Sequence, residues 1–75
     1  MKLQTLIEEI TEFMQLDDEF KLHEELSNYP EWDSMVILSV LALFDDEFGI
    51  DASDRLSDCV TFQNVVDIVS DKLEL

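Results

Sequence analysis

The sequence predicts an all-α fold, a small bundle of three main helices and one short helix, with a long first loop. Three observations predict it. Apolar residues recur at helical spacing in three separate stretches. One Gly and one Pro leave little material for hairpins, which favours helices joined by loops. A hydrophobic content of 47% across 75 residues is enough for a packed core rather than a disordered tail, in one domain spanning 1–75. A chain this short buries only about 60% of its unfolded surface, so modest stability is expected.

The first helix is expected over 2–15. Leu3, Leu6, Ile7, Ile10, Phe13 and Met14 fall three and four apart on one stripe, with Glu8, Glu9 and Glu12 turned to water. Residues 16–33, LDDEFKLHEELSNYPEWD, hold no sustained period and contain Pro30. They read as a long loop, a feature that is often functional. Phe20, Leu22 and Leu26 are expected to pin it to the core.

The second helix runs from Ser34 to Phe48 and stops at Gly49, a good helix terminator. Advancing about 100° per residue gathers Ile37, Val40, Leu41, Phe44 and Phe48 on a core-facing stripe. Ser34, Met35, Leu38, Ser39, Ala42, Asp45 and Asp46 fall on the opposite, wet side. Residues 53–58 allow a turn or two of helix. Thr61 is placed to cap a last helix carrying Phe62, Val65, Val66, Val69 and Leu73 at i, i+3, i+4, i+7 and i+11.

Charge restricts the partners. Four Lys and Arg against nineteen Asp and Glu give a net charge of −15. Nucleic acid and anionic membranes would repel such a chain, because both demand cations against phosphates. A basic protein partner is the natural expectation, and strong mutual repulsion favours a monomer. No membrane insertion is expected, and with no visible targeting segment the expected location is cytoplasmic. Cys59 stands alone, which rules out an internal disulfide framework and reads as a buried small residue.

Catalytic and metal-ligating constellations are not found. Ser34 lacks a nearby base, since His23 is the only histidine and lies in the loop, and no nucleophile-elbow glycines surround it. An EF-hand started at Asp45 would put Gly49 at position five and Leu56 at position twelve, where the pattern requires Gly at six and Glu at twelve. The remaining features of interest lie on the second helix. Its free N–H groups favour an anion at Ser34, although Asp33 or Ser34 could act there simply as a cap. Met35, Leu38 and Ala42 form an apolar strip among acids, fit either for a partner groove or for cover by the long loop.

The tripeptide Asp33-Ser34-Met35 at a helix start after a long loop resembles the Asp-Ser-Leu or Asp-Ser-Met signature of the acyl carrier proteins and their peptidyl and aminoacyl relatives. The resemblance continues through the apolar second helix into Asp45-Asp46-Glu47-Phe48 and includes Thr61-Phe62-Gln63. With the chain length, the acidity and the first-helix pattern, it covers essentially the whole chain. It implies a carrier rather than an enzyme. Phosphopantetheine from coenzyme A would be attached to Ser34, with Asp33 beside it, by a separate phosphopantetheinyl transferase. The prosthetic thiol, not Cys59, would hold an acyl or aminoacyl thioester for delivery to partner enzymes.

On this resemblance Met35, Leu38, Ser39, Ala42, Asp45 and Asp46 would form the docking face. The implied partners are an acyl- or aminoacyl-loading ligase and an acyltransferase or condensing enzyme with a basic surface. The attached chain could slip between helices beside Phe44 and Val66. Two departures stand out. The position two before Asp33, often Gly in the family, is Glu31, and Trp32 directly precedes Asp33. Carriers of fatty-acid biosynthesis usually bear acids where this chain has Val36 and Ser39. Their replacement points to a specialised pathway, such as modified fatty acids, polyketide or nonribosomal aminoacyl biosynthesis, or a cell-surface sugar. The competing expectation is an acidic helical interaction module without a prosthetic group.

Overall fold

The computed structural model describes residues 1–74. Helix α1 spans Leu3–Met14, α2 Ser34–Phe48, α3 Ser53–Ser57 and α4 Phe62–Asp67, with single 3-10 turns at Leu26–Asn28 and Ser70–Lys72. Among the described residues no strand forms, and none of the helices is long and apolar enough to cross a membrane. The first three helices fall where the sequence predicts them, within a residue or two at each end.

Each boundary has a local cause. Gln15 ends α1 in the left-handed conformation at φ 57°, and its N–H and that of Leu16 return to the carbonyls of Glu12 and Thr11. Gly49 ends α2 the same way at φ 67°, where the absence of a Cβ removes the steric cost. At α4 the Thr61 hydroxyl accepts the N–H of Asn64, while the Asn64 side chain accepts the N–H groups of Val60 and Thr61, a reciprocal capping box.

The last helix is shorter than its apolar stripe. After Asp67 the backbone tightens to bonds three residues apart, from Ile68 to Val65 and from Val69 to Val66. Val65, Val66, Ile68 and Val69 are β-branched and restrict their own rotamers in a helix, and the Ser70 hydroxyl donates to the Asp67 carbonyl at 3.1 Å. The stripe still works, because Phe62, Val65, Val66 and Val69 are all buried.

One core joins the elements. Leu6, Ile10 and Met14 of α1 meet Val36, Val40 and Phe44 of α2, and α1 packs chiefly on α2. The buried line of α2 therefore differs from the expected one. Val36 is buried, while Ile37, Leu41 and Phe48 are only half-buried. Packing against α1 turns the helix so that Val36, Val40 and Phe44, spaced by four, carry the centre of the contact. Full burial of each such side chain contributes about 1.5–3 kcal/mol.

The long loop is tied down at both levels. Phe20 and Leu26 are buried and Leu22 half-buried, as pins to the core. Three backbone bonds strap the loop to the start of α4: Leu26 N–H to Val60 O at 2.8 Å, Phe62 N–H to Glu24 O at 3.2 Å, and Gln63 N–H to Leu22 O at 2.8 Å. Phe62 is the hub beneath them. Phe20 stacks on it at 4.0 Å, and Tyr29 and Trp32 meet it edge-on at 5.2 and 5.8 Å. Such ring pairs add about 0.5–1.5 kcal/mol each beyond area burial.

Candidate functional site

The site is built around the first turn of α2. Asp33 has extended backbone and its Oδ1 accepts the Val36 N–H at 3.0 Å, while its carbonyl accepts the Ile37 N–H at 2.9 Å. Asp33, not Ser34, is thus the cap. Ser34 is the first helical residue, exposed, and its hydroxyl enters none of the side-chain hydrogen bonds among the described residues. Among those residues no acceptor meets the N–H groups of Ser34 and Met35 either. An accessible alcohol therefore sits beside two free donors at the positive end of a 15-residue helix.

The proposed docking residues lie together on the outward side of α2. Met35 is 73% and Leu38 61% exposed, and Ala42, Asp45 and Asp46 are exposed too. The long loop does not cover them. It packs instead over Phe62. Ser39 is half-buried, its hydroxyl donating to the Met35 carbonyl at 3.1 Å, and Val36 belongs to the core. His23 is exposed in the loop.

Grooves flank the site. One, about 490 Å³, lies between the loop, α2 and the α3–α4 connection and is walled by Trp32, Tyr29, Ile37, Leu56 and Val60. A second, about 320 Å³, runs past Glu31, Asp33, Met35 and Val36 toward the end of α1, and a third, about 310 Å³, is bounded by Ala42, Asp45 and Asp51. Phe44 and Val66, expected to line a channel between helices, are packed shut in the core and line none of these grooves.

Cys59 is half-buried rather than buried, and its thiol donates to the Arg55 carbonyl at 3.4 Å. Burial first, then the charges of Asp58 and Asp67, pushes its pKa up, which suppresses the reactive thiolate. The loop holds a polar pair that periodicity does not reveal. The Tyr29 hydroxyl donates to Glu24 Oε1 at 2.7 Å, and the same oxygen accepts the Lys21 N–H at 2.8 Å. These bonds hold the Glu24 carboxyl below its ordinary range, and the Glu24 bond raises the Tyr29 phenol. Asp51 is likewise lowered, by the N–H and hydroxyl of Ser53. Among the described residues no group of three potential ligands is placed to hold a metal ion.

No family model matches the chain, and neither curated proteins nor solved structures match it.

Proposed function

We propose that this chain is a carrier protein that holds acyl or aminoacyl groups on a phosphopantetheine arm attached to Ser34 and presents them to partner enzymes. The observation that carries the reading is the division of labour at the start of α2. Asp33 takes the capping role, which leaves an exposed, uncommitted hydroxyl at Ser34. The residues present fit a phosphodiester there. The Ser34 and Met35 N–H groups are free to donate to its oxygens, and the Asp33 carboxylate is engaged with Val36.

In the attachment step a separate transferase brings coenzyme A to the helix start. The Ser34 oxygen forms a bond to phosphorus, the pyrophosphate P–O bond breaks, the bisphosphorylated adenosine leaves, and the serine proton passes to the transferase or solvent. Once bound, the arm supplies a thiol that carries cargo as a thioester. The chain itself holds and displays. Its exposed Met35, Leu38 and Ala42, edged by Asp45 and Asp46, suit a partner surface with an apolar seat and surrounding cations. Val36 is buried and takes no part in that face, and Ser39 is uncharged. A docking face with so few acids supports a dedicated partner over general fatty-acid enzymes. Elongation by those enzymes as efficient as with their own carrier would contradict this part of the reading.

Intact mass after incubation with coenzyme A and a promiscuous phosphopantetheinyl transferase tests the attachment. The expected result is a gain of one prosthetic group, lost in Ser34→Ala. An unchanged mass across several transferases would overturn the carrier reading in favour of an acidic interaction module.

A further inference from the structure

We propose that Met35 is an oxidation site, converted to the sulfoxide by a neutral hydroperoxide, and that this modification switches off docking on the outward side of α2 while the fold stays intact. The site assignment is independent of the carrier reading, and the effect on docking rests on it.

Placement sets the selectivity. The chain holds three methionines. Met14 is sealed in the core at 3% exposure, and the Met1 side chain is 7% exposed. Met35, at 73%, is the most open large apolar side chain among the described residues. A thioether has no proton to lose, so access rather than pKa governs its oxidation. Peroxide is uncharged, and the net charge of −15 does not hold it away. Cys59, the other oxidisable sulfur, is half-buried, bonded to the Arg55 carbonyl, and no part of the docking strip.

The chemistry needs only the peroxide. The Met35 sulfur attacks one peroxide oxygen, an S–O bond forms and the O–O bond breaks. The departing hydroxide takes the proton left on the new oxygen and leaves as water. Sulfur is oxidised by two electrons and the peroxide is reduced by two.

The consequence falls on binding rather than folding. In the free chain the new oxygen stands in water, and Val36, Val40 and Phe44, not Met35, carry the α2 contact with the core. In a docked complex the same oxygen must shed its water against an apolar seat. Met35 directly follows Ser34 and heads the strip it forms with Leu38 and Ala42, so the polar group lands where a partner must approach the attachment point. Sulfoxide reductases restore the thioether, which makes the change a switch rather than a lesion.

Peptide mapping by mass after exposure of the folded wild-type chain to dilute hydrogen peroxide tests the site. Met35 is expected to gain one oxygen about tenfold faster than Met1 or Met14, with the three rates converging in urea. Equal rates in the folded chain overturn the assignment.

Transferase loading from coenzyme A, read by intact mass, tests the switch. Wild type and Met35→Leu are each compared with their own untreated rate, which cancels any basal effect of the substitution, and Cys59 is present in both. Peroxide is expected to slow loading of wild type about fivefold, reversed by a methionine sulfoxide reductase, and to leave the Met35→Leu rate where it was. The melting temperature of the oxidised chain is expected to match the untreated one. Unslowed loading of the oxidised chain, equal slowing in Met35→Leu, or slowing that tracks a lowered melting temperature overturns the switch. Failure of every transferase to load the untreated chain overturns the carrier reading and the docking effect with it, and the peroxide map decides the oxidation site in either case.

Discussion

Asp33 Oδ1 holds the Val36 N–H at 3.0 Å, and this one bond frees the hydroxyl of the neighbouring Ser34 from capping. On the proposed function, the two side chains separate stability from chemistry. Asp33→Ala is expected to cost about 1 kcal/mol of stability, with Asp33→Asn restoring most of it. Ser34→Ala is expected to stay within about 0.5 kcal/mol of wild type while abolishing attachment of the arm. Urea denaturation read beside intact mass checks both.

Gln15 closes α1 in the left-handed region at φ 57°, a conformation in which a Cβ is crowded. Gln15→Gly removes that crowding, partly offset by the greater freedom of glycine in the unfolded chain. A gain of about 0.5–1 kcal/mol is expected, readable as a higher melting temperature. Gln15→Val should move it the opposite way.

Phe62 is fully buried and meets the rings of Phe20, Tyr29 and Trp32. Phe62→Ala is expected to cost about 3–5 kcal/mol, a large share of the stability of so small a domain. The loss should release the loop first. Amide hydrogen exchange at Leu26, whose N–H is bonded to the Val60 carbonyl, would then speed up in the milder Phe62→Leu more than exchange within α1.

The Tyr29–Glu24 bond predicts two limbs in stability against pH. Glu24 has a folded pKa below its ordinary value, so its contribution is present above about pH 4.5 and is lost as pH falls through the lowered folded value. Tyr29 is raised, so its contribution is full below about pH 10 and is lost as pH rises through the folded value. Wild type minus Tyr29→Phe, measured by denaturation across this range, should isolate both limbs from the general relief of repulsion in acid. A flat difference would refute the coupling.

The net charge of −15 has almost nothing to neutralise it. Among the described residues the one ion pair within 4.0 Å joins the N-terminal ammonium to Glu74, at 3.6 Å. Salt screens such repulsion over about 8–10 Å. Moderate salt or millimolar divalent cations are therefore expected to raise the melting temperature at neutral pH. A melting point indifferent to both would contradict this.

Local signals and tertiary packing can be separated residue by residue. The extent of α2, from Ser34 to the stop at Gly49, was legible because its cap and terminator act within one turn, as were Thr61 at the start of α4 and, apart from exposed Leu3, the core stripe of α1. The exposure of Ser34, Met35 and Leu38 was legible too, since a 3.6-residue period opposes them to the apolar face. Other features depended on contacts distant in sequence. Burial of Val36, with Ile37 only half-buried, follows from how α1 seats on α2. The loop's straps to Val60 and Phe62, and the tightening of the chain after Asp67, arise from competition between backbone bonds and packing that no local pattern encodes. The groove beside Trp32 joins that residue of the loop to Ile37 of α2 and Val60 before α4. Periodicity orders residues along one element, and only the folded chain brings three elements to one wall.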